Sequence, residues 1–166
     1  MSPSADEVKK LREATGAGVM DAKQALADAN GDMTKASALL QERGLLKAAK
    51  KGGRDASEGI IHSYIHGDGR IGVLLELRSE TDFVARNADF KGLANDICLH
   101  VAAHAPRVVN PEEAGDSEPS EVALLAQPFV KDPDKTVGDI VKAAISALGE
   151  NIQVARFTRY ELGQDG

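Results

Sequence analysis

The spacing of apolar residues along this chain first changes period near residue 55. Upstream they recur at helical spacing. Ser4 and Glu7 form a capping box for a first helix whose apolar side includes Val8 and Leu11. Thr15-Gly16-Ala17-Gly18 breaks that helix, because two glycines favour turn geometry. Val19 to Ala29 predicts a second helix, stopped by Asn30-Gly31. Asp32 caps a third, with Met33, Ala36, Leu39 and Leu40 at helical spacing and Gly44 as its end. The start of a fourth helix follows, and Lys47, Lys50, Lys51, Gly52, Gly53 and Arg54 read as a helix end leading into a flexible basic hinge.

Beyond the hinge the period becomes 2. Ile60 to His66 and Ile71 to Ser79 flank His66-Gly67-Asp68-Gly69-Arg70, a strong hairpin signal. In the second strand Ile71, Val73, Leu75 and Leu77 share one face, opposite Gly72, Leu74, Glu76 and Arg78. Helical segments are expected from Asp82 to about Ala105-Pro106, and the acidic stretch 110–121 reads as a solvated loop. Thr136 and Asp139 cap a helix from Val137 to Leu148, closed by Gly149. Asn151 to Leu162 is a last strand whose alternation falters at Arg156-Phe157, as a bulge would make it. The fold class is therefore α+β: an N-terminal three-helix domain with its hinge over 1–54, and over 55–166 a core of three-stranded antiparallel sheet covered by helices.

Composition narrows the functional classes. The chain has 166 residues, 42% hydrophobic and 28% charged, as in a soluble globular protein with room for one domain and a small appendage. A net charge of −6 argues against sequence-independent nucleic-acid binding. The basic run at 47–54 is short and has no interleaved aromatics, so a solvated hinge is the better reading. The start, Met1-Ser2-Pro3-Ser4-Ala5-Asp6-Glu7, has no basic and apolar secretory pattern, and no stretch approaches the roughly 20 apolar residues of a membrane helix, so the chain reads as cytoplasmic. The single cysteine, Cys98, lies in an apolar helical pattern and reads as a small buried hydrophobe.

Candidate chemistry is sparse. Asp96, His100 and His104 stand at i, i+4 and i+8, where two histidines and a carboxylate suit a metal ion. No HExxH glutamate accompanies them, and the second gap lets the helix drift past what one ion spans, so a surface stripe is the preferred reading. His62 and His66, on one face of a strand, likewise read as surface. No GxSxG, P-loop or GxGxxG-after-strand motif is present, and nothing in the chain requires a cofactor. The informative stretch is Glu80-Thr81-Asp82-Phe83-Val84-Ala85-Arg86-Asn87, where a strand gives way to a helix. On one reading Thr81 or Asp82 is a helix cap and Phe83 turns into the core. On the other, Phe83 is exposed at a rigid corner as an anchor for a partner's pocket.

Thr81-Asp82-Phe83-Val84-Ala85-Arg86 resembles the signature of the elongation factor Ts family, and Leu11-Arg12-Glu13-Ala14-Thr15-Gly16-Ala17-Gly18-Val19-Met20-Asp21 resembles its other signature. The likeness extends over Gly44 to Lys51, Ile65-His66-Gly67, Arg70 to Val73, Gln127-Pro128-Phe129-Val130 and Gly149-Glu150-Asn151-Ile152 with Arg156-Phe157. It implies a ubiquitin-associated-like N-terminal domain and a guanine-nucleotide exchange factor for elongation factor Tu, neither an enzyme nor a user of cofactors or metals. The resemblance assigns Thr81, Asp82, Phe83 and Val84 to a wedge that disturbs the magnesium site of Tu. It makes Arg12, Val19 and Met20 the N-terminal contact, and His66 a weaker candidate at a second surface. Many family members carry a long helical excursion before the Gln-Pro-Phe motif, whereas Pro111 to Ala126 leaves little room here. Long members also hold two core subdomains against one in this chain, so a homodimer is expected. The alternatives are a metal-dependent hydrolase using Asp96, His100 and His104, and a helical adaptor for ubiquitin-like or peptide partners.

Overall fold

A computed structural model describes residues 2–165. Three helices come first: α1 (Ala5–Thr15), α2 (Val19–Asp28) and α3 (Met33–Lys51). The Ser4–Glu7 capping box starts α1, and the Asp32 side chain caps α3 by accepting from the Lys35 amide at 3.0 Å. Val8, Leu11, Ala22, Ala25, Leu26, Ala36 and Leu40 bury a small core of their own. Arg43 and Lys47 of α3 pair with Asp28 and Asp21 of α2 and hold the two helices together.

Gly44 does not end α3, contrary to expectation, and no fourth helix begins there: α3 is one helix of 19 residues. Gly44 lies against a later helix, α7 (Val137–Leu148), and a Cβ at that position would sit 3.2 Å from Ser146 Oγ. The glycine thus lets two helices approach. About two turns on from Leu40, which with Ala36 lies in the small core, Ala48 of the same helix joins the main one. The helix yields to a turn at Gly52-Gly53, whose carbonyl at Gly52 and that of Arg54 accept from the Asn151 amide group at 3.5 and 2.8 Å.

The main body is a three-stranded antiparallel sheet in the order β1 (Glu58–His66), β2 (Ile71–Ser79), β5 (Gln153–Glu161). The hairpin register runs from Glu58 opposite Ser79 to His66 opposite Ile71. Gly59 has φ +143°, and a Cβ there would fall 2.1 Å from the Leu77 carbonyl oxygen, so only glycine fits. The β2–β5 pairing shifts between Glu76, opposite Arg156, and Leu77, opposite Val154, leaving Ala155 as the extra residue of a bulge. Helices cover one face. Val73, Leu75 and Leu77 pack with Phe90, Ile97, Cys98 and Val101 of α5 (Ala88–His104) and with Val141 and Ile145 of α7.

Between α5 and α7 the chain forms a 3-10 turn (Pro111–Ala114), the short α6 (Pro119–Val122), a second 3-10 turn (Leu124–Ala126) and a ribbon of β3 (Pro128–Phe129) with β4 (Asp132–Thr136). The expected loop over 110–121 therefore carries local helical turns, and the ribbon adds two strands to the expected three. His100 pins this segment. It is fully buried, not part of a surface stripe. The Val130 amide donates to its Nδ1 at 3.1 Å, which leaves the proton on Nε2 to be donated to Gln127 Oε1 at 2.9 Å. Burial, foremost, and the neighbouring His104 make the ring harder to protonate, against the opposing effect of the Gln127 bond. With both nitrogens used, and with Asp96 paired to Lys131 at 2.6 Å, His100 has nothing to offer a metal. Among the described residues no group of three potential ligands could hold an ion.

Candidate partner-binding site

The corner after β2 is a single helical turn, α4 (Asp82–Ala85). Thr81 caps it, its Oγ1 accepting from the Val84 amide at 3.3 Å. Val84 and Ala85 face the main core. A helical turn that buries its third and fourth residues must aim its second residue away, and Phe83 is 82% exposed. The cap expected from the sequence is present, but the aromatic ring is not in the core. Asp82 is also exposed and, among the described residues, pairs only with Arg86, at 3.2 Å. An exposed pair of this kind holds little energy, so the carboxylate is free to change partners.

The turn is held from behind. The Thr81 amide and hydroxyl donate to the two carboxylate oxygens of Glu150 at 3.0 and 2.7 Å. Buried Ser79 donates to the Thr81 carbonyl at 2.8 Å, and the Asn151 amide donates to Glu80 Oε1 at 2.7 Å. Sequence reasoning assigned no role to Glu150 or Asn151. Their partners lie about 70 positions away, and only the left-handed Gly149 ending α7 marks the place where they turn toward the corner.

A second exposed set lies on the N-terminal unit. The Arg12 guanidinium donates through Nε to the Ala17 carbonyl at 3.2 Å and so fixes the turn between α1 and α2. Val19 and Met20, in the first turn of α2, are 50% and 74% exposed. Arg12 and Val19 line a groove of about 360 Å³ together with Val8, Lys9 and Lys23. An apolar floor with a basic rim suits an acidic partner surface.

His66 ends β1 at the far side of the sheet from Ser79, some eight residues or roughly 26 Å along the strands from the corner. It is exposed and its Nδ1 lies 2.8 Å from the Tyr64 hydroxyl. His62 contacts Asn95 at 3.3 Å. On the opposite face of the sheet from His66, the face no helix covers, Ile61, Ile65, Leu74 and Tyr160 are each at least half exposed. Two neighbouring isoleucines, Ile60 and Ile61, were the sequence signal for this face, because alternation forces one of them outward.

The sequence model of the family described as "Elongation factor TS" matches residues 5–118 and 116–164. Similar proteins named "Elongation factor Ts" include that of Desulforamulus reducens, 47% identical over 97% of this chain and 89% of the relative. That of Fervidobacterium nodosum is 46% identical over 99% of this chain and 100% of the relative, and that of Alkaliphilus oremlandii 46% over 99% and 91%. The alignments run over 194 to 197 positions, more than the 166 residues here, so these relatives carry segments this chain lacks. The family match breaks at 116–118, just ahead of α6.

Proposed function

Because the chain belongs to the elongation factor Ts family, we propose that it is a guanine-nucleotide exchange factor that binds elongation factor Tu with GDP and promotes GDP release during translation elongation. The observation that carries this reading is Phe83, a large ring held in solvent on a turn whose next two residues are locked into the core. A large ring presented on a turn whose neighbours are locked in place is a ready-made anchor for a partner's pocket.

GDP is gripped by a phosphate cradle and by Mg²⁺ bridging phosphate to protein oxygens. In this proposal Phe83 enters the nucleotide domain beside that site, Thr81 and Val84 seat it, and Asp82 exchanges Arg86 for polar groups near the metal. Arg12, Val19 and Met20 dock the N-terminal unit, and His66 adds a weaker contact at the other end of the sheet. A factor that binds the empty state more tightly must weaken nucleotide binding by the same ratio. A thousandfold effect needs about 4 kcal/mol of differential binding. No bond is made or broken, so the factor is not an enzyme and uses no cofactor.

We divide the chain into an N-terminal docking domain, 1–54, and a core, 55–166, and place the protein in the cytoplasm without direct nucleic-acid contact. No helix among the described residues is long and apolar enough to cross a membrane. The uncovered apolar sheet face favours a homodimer through the core. Release of a fluorescent GDP analogue from elongation factor Tu, with and without this protein, tests the proposal. Acceleration at substoichiometric amounts is the expected result, and an unchanged rate at saturating amounts overturns it.

A further inference from the structure

A four-residue helix has no stability of its own. A few backbone bonds close the turn of α4: Ala85 to the Thr81 carbonyl at 3.3 Å, Arg86 to the Asp82 carbonyl at 3.1 Å and, at its end, Asn87 to the Val84 carbonyl at 2.9 Å. The direction of Phe83 therefore depends on what clamps the turn from outside. Val84 and Ala85 clamp its end. Its beginning is clamped by Glu150, whose two oxygens take both donors of Thr81, the residue whose own hydroxyl caps the turn.

Glu150 is itself well fixed. It follows Gly149, whose left-handed conformation ends α7, and precedes buried Asn151. The Asn151 amide is bonded to Glu80, and its side chain to the carbonyls of Gly52 and Arg54. Arg54 in turn lies 3.7 Å from Glu80. The residues just before the wedge, the end of α7 and the turn leaving the N-terminal unit thus meet in one hydrogen-bonded knot.

We propose that Glu150 is a positioning residue for nucleotide exchange, holding Thr81 so that Phe83 is presented in its inserting orientation before the partner arrives. This rests on the wedge reading above. Glu150 need not touch the partner to act. A ring already aimed loses less conformational freedom on insertion, so its preorganisation favours the inserted state. Without the carboxylate the Thr81 amide and hydroxyl turn to water, the turn frays, and Phe83 spreads over several directions. The carboxylate matters here as a two-point acceptor. A glutamine, with one acceptor and one donor, keeps both contacts by reversing the hydroxyl bond.

The test uses full-length protein and elongation factor Tu loaded with a fluorescent GDP analogue, with stopped-flow release rates followed to saturating factor. Circular dichroism at the assay temperature checks that each variant is folded. Glu150→Ala is expected to lower the maximal release rate about tenfold, less than two hydrogen bonds to a carboxylate are worth because water takes over the freed Thr81 donors. The half-saturating concentration should move less than about threefold, since the other contacts still dock the factor. Glu150→Gln should recover most of the rate. In a Phe83→Ala background, Glu150→Ala should add less than about a twofold loss, because a residue acting through the ring has nothing left to position. A wild-type maximal rate for Glu150→Ala, alongside a slow Phe83→Ala, overturns the positioning role and spares the wedge. Multiplicative losses in the double variant also overturn it. A wild-type rate for Phe83→Ala sinks the wedge itself, whatever Glu150 does.

Discussion

Replacing Phe83 with alanine separates a partner anchor from a core residue by magnitude alone. A phenylalanine carries about 200 Å² of surface. With the residue 82% exposed, folding hides only about 40 Å² of it. At about 25 cal/mol per Å² this is worth about 1 kcal/mol to the fold. Alanine's better helix propensity offsets part of that loss. The unfolding midpoint should then fall by no more than about 3 °C for a chain of this size. The exposed area, about 160 Å², is worth up to about 4 kcal/mol if a pocket on elongation factor Tu covers it fully. Allowing for incomplete burial, the variant should lose about 2–4 kcal/mol at the exchange transition state, roughly a 30- to 1,000-fold fall in the apparent second-order rate of GDP release. Scanning calorimetry gives the first quantity and fluorescent-GDP release the second. A midpoint lowered by ten degrees or so would mean that the ring stabilises the fold after all. An exchange loss under about threefold would mean that no pocket receives it.

Four other outcomes follow from the structure. The unfolded chain takes up a proton at its histidines near the ordinary value of 6.5, whereas folded His100 does so only at lower pH. Its contribution to stability is thus fully present above that value and is lost as pH falls below it, so the midpoint difference between wild type and His100→Asn should shrink on acidification, and a constant difference would refute the assignment. Burial pushes the Cys98 thiol up to about 12, so it should resist a disulfide reagent in the native protein and react at once in denaturant; rapid native labelling would contradict this. Removing residues 1–54 should weaken association with elongation factor Tu and leave a folded core, less stable than the one left by removing residues 1–44, because the larger cut takes away Ala48 and the carbonyl partners of Asn151. Light scattering should give twice the 17.5 kDa chain mass, and Ile65→Glu on the bare sheet face should return it to one; a monomeric wild type refutes the dimer.

Local signals located most of the elements. Alternation gave the hairpin to within two residues, and the Thr136–Asp139 box gave α7 in full, because both patterns are written in neighbouring positions. The misreadings share a cause, which is long-range contact. Gly44 looked like a helix stop, yet it sits mid-helix to admit Ser146 from a helix 100 residues away. His100 looked like part of an exposed stripe, and its partners Gln127 and Val130 lie in a segment whose prolines and charges disguised a ribbon. The corner was placed correctly, but spacing alone did not decide which way its ring faced. Val84, not Phe83, fills the core there, and one residue's difference along a single turn reverses the outcome.

The unbroken course of α3 fixes how this chain can change length. Its 19 residues span roughly 28 Å, from the small core of the N-terminal helices to the main core under the sheet. Deleting one residue between Leu40 and Ala48 would shorten that span by only about 1.5 Å but swing the N-terminal helices through about 100° around the helix axis. Val19 and Met20 would then face a different quarter of space from Phe83. Removing seven residues, close to two whole turns, restores the phase while drawing the two contact surfaces about 10 Å closer. The 52–54 turn is not helical and is held instead by Asn151, which bonds the carbonyls of Gly52 and Arg54. The helix is in effect a graduated gauge, and if one partner reads both surfaces its length can change only in steps that match the helical pitch.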